Sequence, residues 1–177
     1  MNRFSRVLIT GASGGIGGAL ARALDANGVG HLVLAGRRTH ALEGLADGLT
    51  CDTTVVTADL SSTEGMTTLI ERAGSVDLLV NCAGFGSFGP FAECSSGTQE
   101  GMVMVNCLAP VALTRAFLPA MIAAGRGCVV NIASGMSFQP MPYMSTYAAT
   151  KAFLLHWSEG LAQELRGTGV TAIAVCP

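Results

Sequence analysis

A tyrosine and a lysine stand four positions apart in the segment Tyr147-Ala148-Ala149-Thr150-Lys151. On a helix, residues at i and i+4 share one face, so this phenol and this ammonium would be neighbours. A free tyrosine has a pKa of about 10 and is a poor acid at neutral pH, but a nearby ammonium favours the phenolate. Tyr147 could then pass a proton to or from a substrate oxygen. The spacing alone is common and equally describes a core tyrosine beside a solvated lysine.

Ser134 strengthens the catalytic interpretation. It ends an apolar run, Asn131-Ile132-Ala133-Ser134, and precedes Tyr147 by 13 residues. Its hydroxyl could orient the oxygen that Tyr147 protonates. Tyr143 also lies near Tyr147 but has a tyrosine instead of a lysine at i+4, so we interpret it as lining the pocket.

A glycine-rich turn follows the first apolar run, in Thr10-Gly11-Ala12-Ser13-Gly14-Gly15-Ile16-Gly17. Glycines let a backbone turn sharply and approach a ligand closely. The helix that begins in this turn would offer free N–H groups to a pyrophosphate. A purely structural turn is the alternative, but the place between a first strand and a first helix favours dinucleotide binding.

The residues after the second strand predict which cofactor binds. An acidic residue there would bind the ribose 2′-hydroxyl of NAD, whereas arginine accommodates the 2′-phosphate of NADP. The chain has Ala35-Gly36-Arg37-Arg38 and no carboxylate, so NADP(H) is expected in preference to NAD(H). A solvated arginine pair is the alternative. Asp59 and Leu60 fall where the adenine would lie, although Asp59 by itself reads more readily as a helix cap.

Length and composition favour one folded domain over residues 1–177. Half of the 177 residues are hydrophobic, 12% are charged and the net charge is −2. No basic stripe supports nucleic-acid binding, and neither a membrane span nor a signal peptide is expected. The six cysteines and three histidines show no metal-ligand spacing, so no metal site is predicted. Free thiols and a cytoplasmic location are expected.

Short apolar runs alternate with amphipathic stretches, which indicates βαβ units and an α/β fold: a doubly wound parallel sheet of about six strands with helices on both faces. The predicted strands are Val7 to Ile9, His31 to Ala35, Thr54 to Thr57, Val76 to Val80, Cys128 to Ile132 and Val170 to Cys176. The predicted helices are Gly15 to Asn27, His40 to Gly48, Thr63 to Ala73, Gly97 to Ala124 and Ser145 to Arg166, with Pro110 and Pro119 bending or shortening the fourth.

From about Arg6 to Pro177 the chain resembles the short-chain dehydrogenase/reductase family, in its compact single-domain branch. Asn81-Cys82-Ala83-Gly84 resembles the family's NNAG motif, with cysteine for the second asparagine. The resemblance implies a Rossmann-like fold and a catalytic set of Asn106, Ser134, Tyr147 and Lys151. It implies cofactor contacts from Thr10, Gly11, Ser13, Gly15, Ile16, Gly17, Arg37, Arg38, Asp59, Leu60, Asn81, Ala83, Gly84, Tyr147, Lys151 and Pro177.

The same resemblance implies a mechanism. NADPH gives its hydride to a carbonyl carbon, Tyr147 gives the proton, Lys151 holds the nicotinamide ribose, and Asn106 positions a water that connects the relay to solvent. An apolar substrate pocket is expected from Phe85, Phe88, Met136, Phe138, Met141 and Met144, with core packing as the alternative for each. The expected partner is a small carbonyl or alcohol compound.

Family members usually continue past Pro177 with a substrate lid and another strand, so the natural polypeptide is expected to extend further. Two other functions stay open: a weakly catalytic nucleotide-binding sensor or scaffold, and a sugar-nucleotide epimerase of the extended branch. A homodimer or homotetramer is also expected. The two long helices carry more apolar residues than one sheet-facing stripe requires, namely Leu113, Phe117, Phe153, Leu154 and Trp157.

Overall fold

The computed structural model describes residues 4–177 and contains a six-stranded, all-parallel sheet. The strands are β1 (Arg6–Thr10), β2 (His31–Gly36), β3 (Asp52–Thr57), β4 (Leu78–Asn81), β5 (Gly127–Ile132) and β6 (Val170–Val175). Their order across the sheet is β3-β2-β1-β4-β5-β6. The order reverses between β1 and β4, and a crevice for a ligand is expected past the carboxyl ends of these two strands.

Helices cover both faces of the sheet. They are α1 (Gly15–Ala26), α2 (Thr39–Ala46), α3 (Thr63–Ala73), α4 (Ser96–Val103), α5 (Ala109–Ala123) and α6 (Ser145–Glu164). Side chains alternate along a strand, so Leu8 and Leu79 pack with α3, α5 and α6, whereas Val7 and Ile9 pack with α1 and α2. The predicted doubly wound architecture is confirmed.

The long fourth helix is not uniform as predicted. Between α4 and α5 the segment Met104–Leu108 is π-helical, and the N–H of Ala109 donates to the carbonyl of Met104. Pro110 follows directly and has no N–H, so it cannot close the α-helical bond to the carbonyl of Asn106. The irregular turn therefore falls on the predicted catalytic asparagine, as π-helical turns often do at functional sites. Pro119 lies inside α5 without ending it.

Several predicted boundaries differ from the structure by one or two residues, and two of these differences have an identified cause. Strand β4 begins at Leu78 instead of Val76 because the carboxylate of Asp77 accepts hydrogen bonds from the N–H groups of Ser5 and Arg6. Helix α6 ends at Glu164, two residues before the predicted end, and Gly167 and Gly169 with positive φ turn the chain into β6.

The helical run Ser96–Ala123 is long and apolar enough to cross a membrane by length and composition, with a mean hydropathy of 1.5. The expectation of no membrane span rested on uninterrupted apolar runs, whereas this helical run has polar residues among its apolar ones. The property is weak evidence, since a core helix shares it. Here Leu113, Phe117 and Met121 pack into the hydrophobic core beneath the sheet.

Three of the five residues expected at an oligomer interface face the chain's own core. Leu113, Phe117 and Leu154 are 0%, 5% and 2% exposed. Phe153 is exposed and stacks on the half-buried Trp157, with 6.4 Å between ring centroids. Apolar side chains that do reach the outer surface of these helices include Val103, Leu108 and Ile122, which the sequence pattern did not single out.

Candidate functional site

The glycine-rich turn after β1 packs so closely that side chains are excluded at two positions. Gly11 has a φ of 68°, and a Cβ there would lie 2.8 Å from the Cα of Ala83. At Gly17 a Cβ would collide with the carbonyl oxygen of Gly11. The turn therefore folds back on α1 and against the segment after β4, and only glycine permits both approaches.

A cleft of about 520 Å³ opens over this turn. Most of the predicted cofactor residues line it: Gly11, Ser13, Gly15, Ile16, Gly17, Arg37, Arg38, Asp59, Leu60, Ala83 and Gly84. Gly14, Gly36, Ala58, Cys82, Phe85 and Val105 complete the walls. Residues that follow β1, β2, β3 and β4, together with Val105 of the π-helical turn, thus converge at the carboxyl ends of these strands.

Thr10 and Asn81 are buried beneath the cleft and do not line it. The Thr10 hydroxyl accepts hydrogen bonds from the N–H groups of Cys82 and Ala83, each at 3.0 Å. The Asn81 side chain donates to Asn131 Oδ1 at 2.8 Å. Thr10 therefore positions backbone beneath the cleft, whereas Asn81 joins the side chains of β4 and β5 there.

The two arginines and Asp59 lie at the β2 and β3 end of the cleft. A guanidinium nitrogen of Arg38 donates to the carbonyl of Ser13 at 2.5 Å. Hydrogen bonds from Ser61, and then the charge of Arg37, lower the pKa of Asp59 below its usual value. The helix-cap interpretation of Asp59 is wrong, because the α3 N-cap is Ser62, whose Oγ accepts from the N–H of Gly65 at 3.0 Å.

Tyr147 and Lys151 lie one turn apart near the start of α6. The Lys151 Nζ lies 5.7 Å from the centroid of the Tyr147 ring, within the range of a cation–π attraction. The tyrosine is half-buried and the lysine is buried. A Cβ at Gly84, which lines the cleft, would lie 3.3 Å from Nζ, so the ammonium sits directly beside one end of the cleft.

Lys151 is 4% exposed, and its Nζ donates to the carbonyl of Ile132 at 2.7 Å. Burial lowers the pKa of this ammonium from its ordinary value. Among residues 4–177, no carboxylate forms an ion pair with it. An ammonium has three N–H donors, and a ligand with oxygen acceptors in the cleft could use those not bound to Ile132.

Asn106 is 1% exposed in the π-helical turn, and its amide binds the loop after β4. Oδ1 accepts from the N–H of Phe85 at 3.1 Å, and Nδ2 donates to the carbonyl of Phe85 at 2.9 Å. Nδ2 also donates to Thr150 Oγ1 at 3.0 Å. Both amide hydrogens thus have protein partners.

Ser134 follows β5 and caps the short 3₁₀ turn Gly135–Phe138. Its Oγ accepts from the N–H of Met136 at 3.2 Å. Ser137 reciprocates, because its Oγ accepts from the N–H of Ser134 and donates to the carbonyl of Lys151 at 3.0 Å. The strand end that carries Ser134 is thereby tied to the helix that carries Lys151.

The short chain dehydrogenase family matches this chain over residues 5–177. The chain belongs to that family. The sequence-based recognition is confirmed, and the order of strands and the glycine-lined cleft agree with it.

Individual relatives support the same assignment. The "Ketoacyl reductase HetN" of Nostoc sp. is 37% identical, and the match covers 97% of this chain and 62% of that protein. The structure of a short-chain dehydrogenase from Sphingobium yanoikuyae in complex with NADPH is 34% identical with a TM-score of 0.91, covering 98% of this chain and 70% of that one. The structure of a bulky-bulky ketone specific alcohol dehydrogenase from Comamonas testosteroni is 33% identical with a TM-score of 0.91. The match covers 99% of this chain and 73% of that one.

This short-chain dehydrogenase spans 66%, 62% and 58% of the length of three curated relatives that it matches. Pro177, predicted to contact the cofactor, does not line the cleft. Its carbonyl accepts from the N–H of Gly135 at 2.9 Å, so it lies beside the turn that Ser134 caps.

The residues predicted for a substrate pocket are distributed over several surfaces. Phe85 lines the glycine-lined cleft, while Phe138 and Met141 line a separate cavity beside α6. Phe88 is exposed and contacts Tyr143, with 5.6 Å between ring centroids. Tyr143 has a φ of 66°, a strained value for a residue other than glycine, and its carbonyl accepts from the N–H of Gly89 at 2.9 Å. Strain of this kind collects at functional sites.

Sequence reasoning missed three residues that shape this site. Gly86 covers the Tyr147 ring, since a Cβ there would lie 2.9 Å from Tyr147 Cδ2. Ser137 and Thr150 are buried hydroxyls that bond to the backbone of α6. A threonine inside a helix and next to the buried lysine was the one available signal, because such a side chain needs a hydrogen-bond partner.

Proposed function

We propose that this short-chain dehydrogenase transfers a hydride between NADP(H) and a carbonyl or alcohol substrate, with Tyr147 as the acid and base. The observation that carries the proposal is the buried Lys151 ammonium, 5.7 Å from the Tyr147 ring centroid and beside the glycine-lined cleft. A phenol beside a buried cation is suited to exchange a proton with a substrate oxygen.

The residues of the cleft fit a dinucleotide phosphate. Gly14 precedes α1 without a side-chain cap, which leaves the N–H groups of the first turn for an anion. No neighbouring atom lies within 4 Å of a Cβ position at Gly15, so a ligand can approach there. Arg37 and Arg38 line the end where a 2′-phosphate would lie, and a relative of known structure binds NADPH. These observations support NADP(H) in preference to NAD(H).

Each catalytic residue has a role in this proposal. The bound nicotinamide supplies the hydride. Tyr147 donates a proton to the carbonyl oxygen, and Ser134 orients that oxygen through a hydrogen bond. Lys151 stabilises the phenolate and binds the ribose hydroxyls through donors that Ile132 leaves free. The side chain of Asn106 holds the loop after β4 in place beside them. Its backbone carbonyl, to which Pro110 cannot donate, positions a water that connects the relay to solvent.

We further propose a small-molecule substrate, a homodimer or homotetramer, and a cytoplasmic location. The exposed apolar residues Val103, Leu108, Ile122 and Phe153 support self-association. The six cysteines are all unpaired, which suits a reducing compartment. Light scattering at micromolar concentration tests the assembly, and a monomer would contradict it.

The experiment that tests the activity follows NADPH oxidation with a panel of ketones and aldehydes of increasing size. NADH is run in parallel, and cofactor binding is measured separately by fluorescence titration. We expect turnover with NADPH and weaker binding of NADH. Tight NADPH binding without turnover on any carbonyl would instead support a nucleotide-binding sensor or scaffold.

A further inference from the structure

Thr150 is a buried polar residue that the catalytic set does not include. It is 3% exposed and lies between Tyr147 and Lys151 on α6. Its hydroxyl donates to the carbonyl of Tyr147 at 2.8 Å and accepts from Asn106 Nδ2 at 3.0 Å. The side chain therefore joins the first turns of α6 to the π-helical turn that holds Asn106.

This hydroxyl determines how the Asn106 amide is oriented. A primary amide has two N–H donors, and one of those of Asn106 is used by the carbonyl of Phe85. Thr150 accepts the other. Without that acceptor a buried N–H would have no partner, which is costly, and the amide could rotate away from Phe85.

The loop held by Asn106 shapes the surroundings of both catalytic groups. A Cβ on Gly84 would lie 3.2 Å from Asn106 Oδ1 and 3.3 Å from Lys151 Nζ. A Cβ on Gly86 would lie 2.9 Å from the Tyr147 ring. A shift of this loop by a few tenths of an ångström would therefore change the contacts of the ammonium and the phenol together.

A second asparagine is joined to the same helix in the same way, farther from the site. Asn131 Nδ2 donates to Ser158 Oγ at 2.8 Å, and Ser158 Oγ donates to the carbonyl of Leu154 at 2.5 Å. Ser158 is 1% exposed and lies seven residues after Lys151. This connection joins β5 to the middle of α6, so it serves as a matched internal control for a purely structural hydroxyl.

We propose that Thr150 is a positioning residue for the reaction: through Asn106 and Phe85 its hydroxyl holds the loop after β4 against Tyr147 and Lys151. The inference rests on the proposed function for its kinetic consequence. Its structural part, that Thr150 positions the loop after β4 through Asn106, does not depend on whether the protein turns over a substrate.

The test compares Thr150→Val, which keeps the shape and removes the hydroxyl, with Thr150→Ser, which retains the hydroxyl. Ser158→Ala is the matched control. For each full-length variant, kcat, the KM for NADPH and Tm are measured, together with hydrogen exchange of the Phe85 amide by NMR. The Phe85 N–H reports directly on its bond to Asn106.

We expect Thr150→Val to lower kcat by about tenfold or more, because small displacements of catalytic groups reduce rates steeply. The KM for NADPH should change less than kcat, since the glycine-rich turn after β1 is untouched, and hydrogen exchange of the Phe85 amide should accelerate about tenfold. Thr150→Ser should keep kcat and the exchange rate of the Phe85 amide close to those of the parent. Ser158→Ala should lower Tm while leaving kcat and Phe85 exchange unchanged.

An equal fall of kcat in Ser158→Ala and Thr150→Val at matched loss of Tm would overturn the proposal, because helix stability would then explain both. Unchanged Phe85 exchange in Thr150→Val would also overturn it. A parent protein without turnover would contradict the proposed function alone, and the exchange rate of Phe85 would still decide whether Thr150 holds the loop.

Discussion

The glycine-lined cleft and the proposed catalytic end of this dehydrogenase are built in opposite ways. The turn from Thr10 to Gly17 can pack closely only because Gly11 and Gly17 have no side chains, since a Cβ at either position would collide with backbone. The catalytic end works through side-chain atoms, because Asn106, Thr150 and Lys151 each bond to backbone of another segment or of their own helix. The cleft should therefore be damaged by adding atoms, and the catalytic end by removing them.

Removing one oxygen from the catalytic end should have the largest effect. Tyr147→Phe deletes the proposed proton donor and preserves the ring that packs under Gly86. Turnover should fall by about 10²- to 10⁴-fold, the range that acid–base catalysis contributes. Steady-state kinetics measure the loss, and fluorescence titration should show NADPH binding unchanged.

Tyr143→Phe is the matched control, because Tyr143 is the chain's other tyrosine and its exposed ring contacts Phe88. It should retain turnover. Parent-level ketone reduction by Tyr147→Phe would show that the proton comes from elsewhere.

Removing a charge from the cofactor cleft should have the next largest effect. Arg37→Ala should weaken NADPH binding by about 1.5–3 kcal/mol, the contribution of a hydrogen bond to a charged group. NADH lacks the 2′-phosphate, so its affinity should change little and serves as the control. Isothermal titration calorimetry measures the affinity for each cofactor. An equal loss of affinity for NADPH and NADH would show that Arg37 does not bind the 2′-phosphate.

Adding one carbon to the glycine turn tests the other half of the comparison. Gly17→Ala should lower the free energy of unfolding by about 1–3 kcal/mol, as overpacking does, and should weaken NADPH binding. Gly44→Ala is its control, because α2 leaves open space at that position and alanine favours a helix. Urea denaturation compares them, and equal behaviour would mean that the turn relaxes to accept a side chain.

The smallest expected effect concerns pH. Burial lowers the pKa of Lys151 in the folded chain, whereas the unfolded lysine keeps its proton up to its ordinary value of 10.5. Between these two values the unfolded state binds more protons, so the parent should gain stability as pH rises. Lys151→Met lacks this contribution. Denaturant titrations at pH 7 and pH 10 should show that the free energy of unfolding of the parent rises relative to that of Lys151→Met. A difference between the two proteins that does not change with pH would contradict the buried ammonium.

The sequence by itself determined the fold class, the family and most residues that line the cleft. The reason is that these features are local: a glycine turn between a strand and a helix, a short apolar strand, or a tyrosine and lysine one helical turn apart. Steric limits and side-chain periodicity act within a few residues, so they can be read along the chain. Arg37 and Arg38 line the cleft because they directly follow β2.

Only the tertiary structure decided which polar groups face the cleft and which support it. Thr10 and Asn81 belong to the predicted cofactor motifs, yet they are buried and bond across segments 72 and 50 residues apart. Leu113, Phe117 and Leu154 were expected at a surface and instead fill the core. The hydrogen-bond partner of Thr150 could not be identified from the sequence, because Asn106 lies 44 residues away. Such contacts depend on how the helices and the sheet pack together, which periodicity along the chain does not specify.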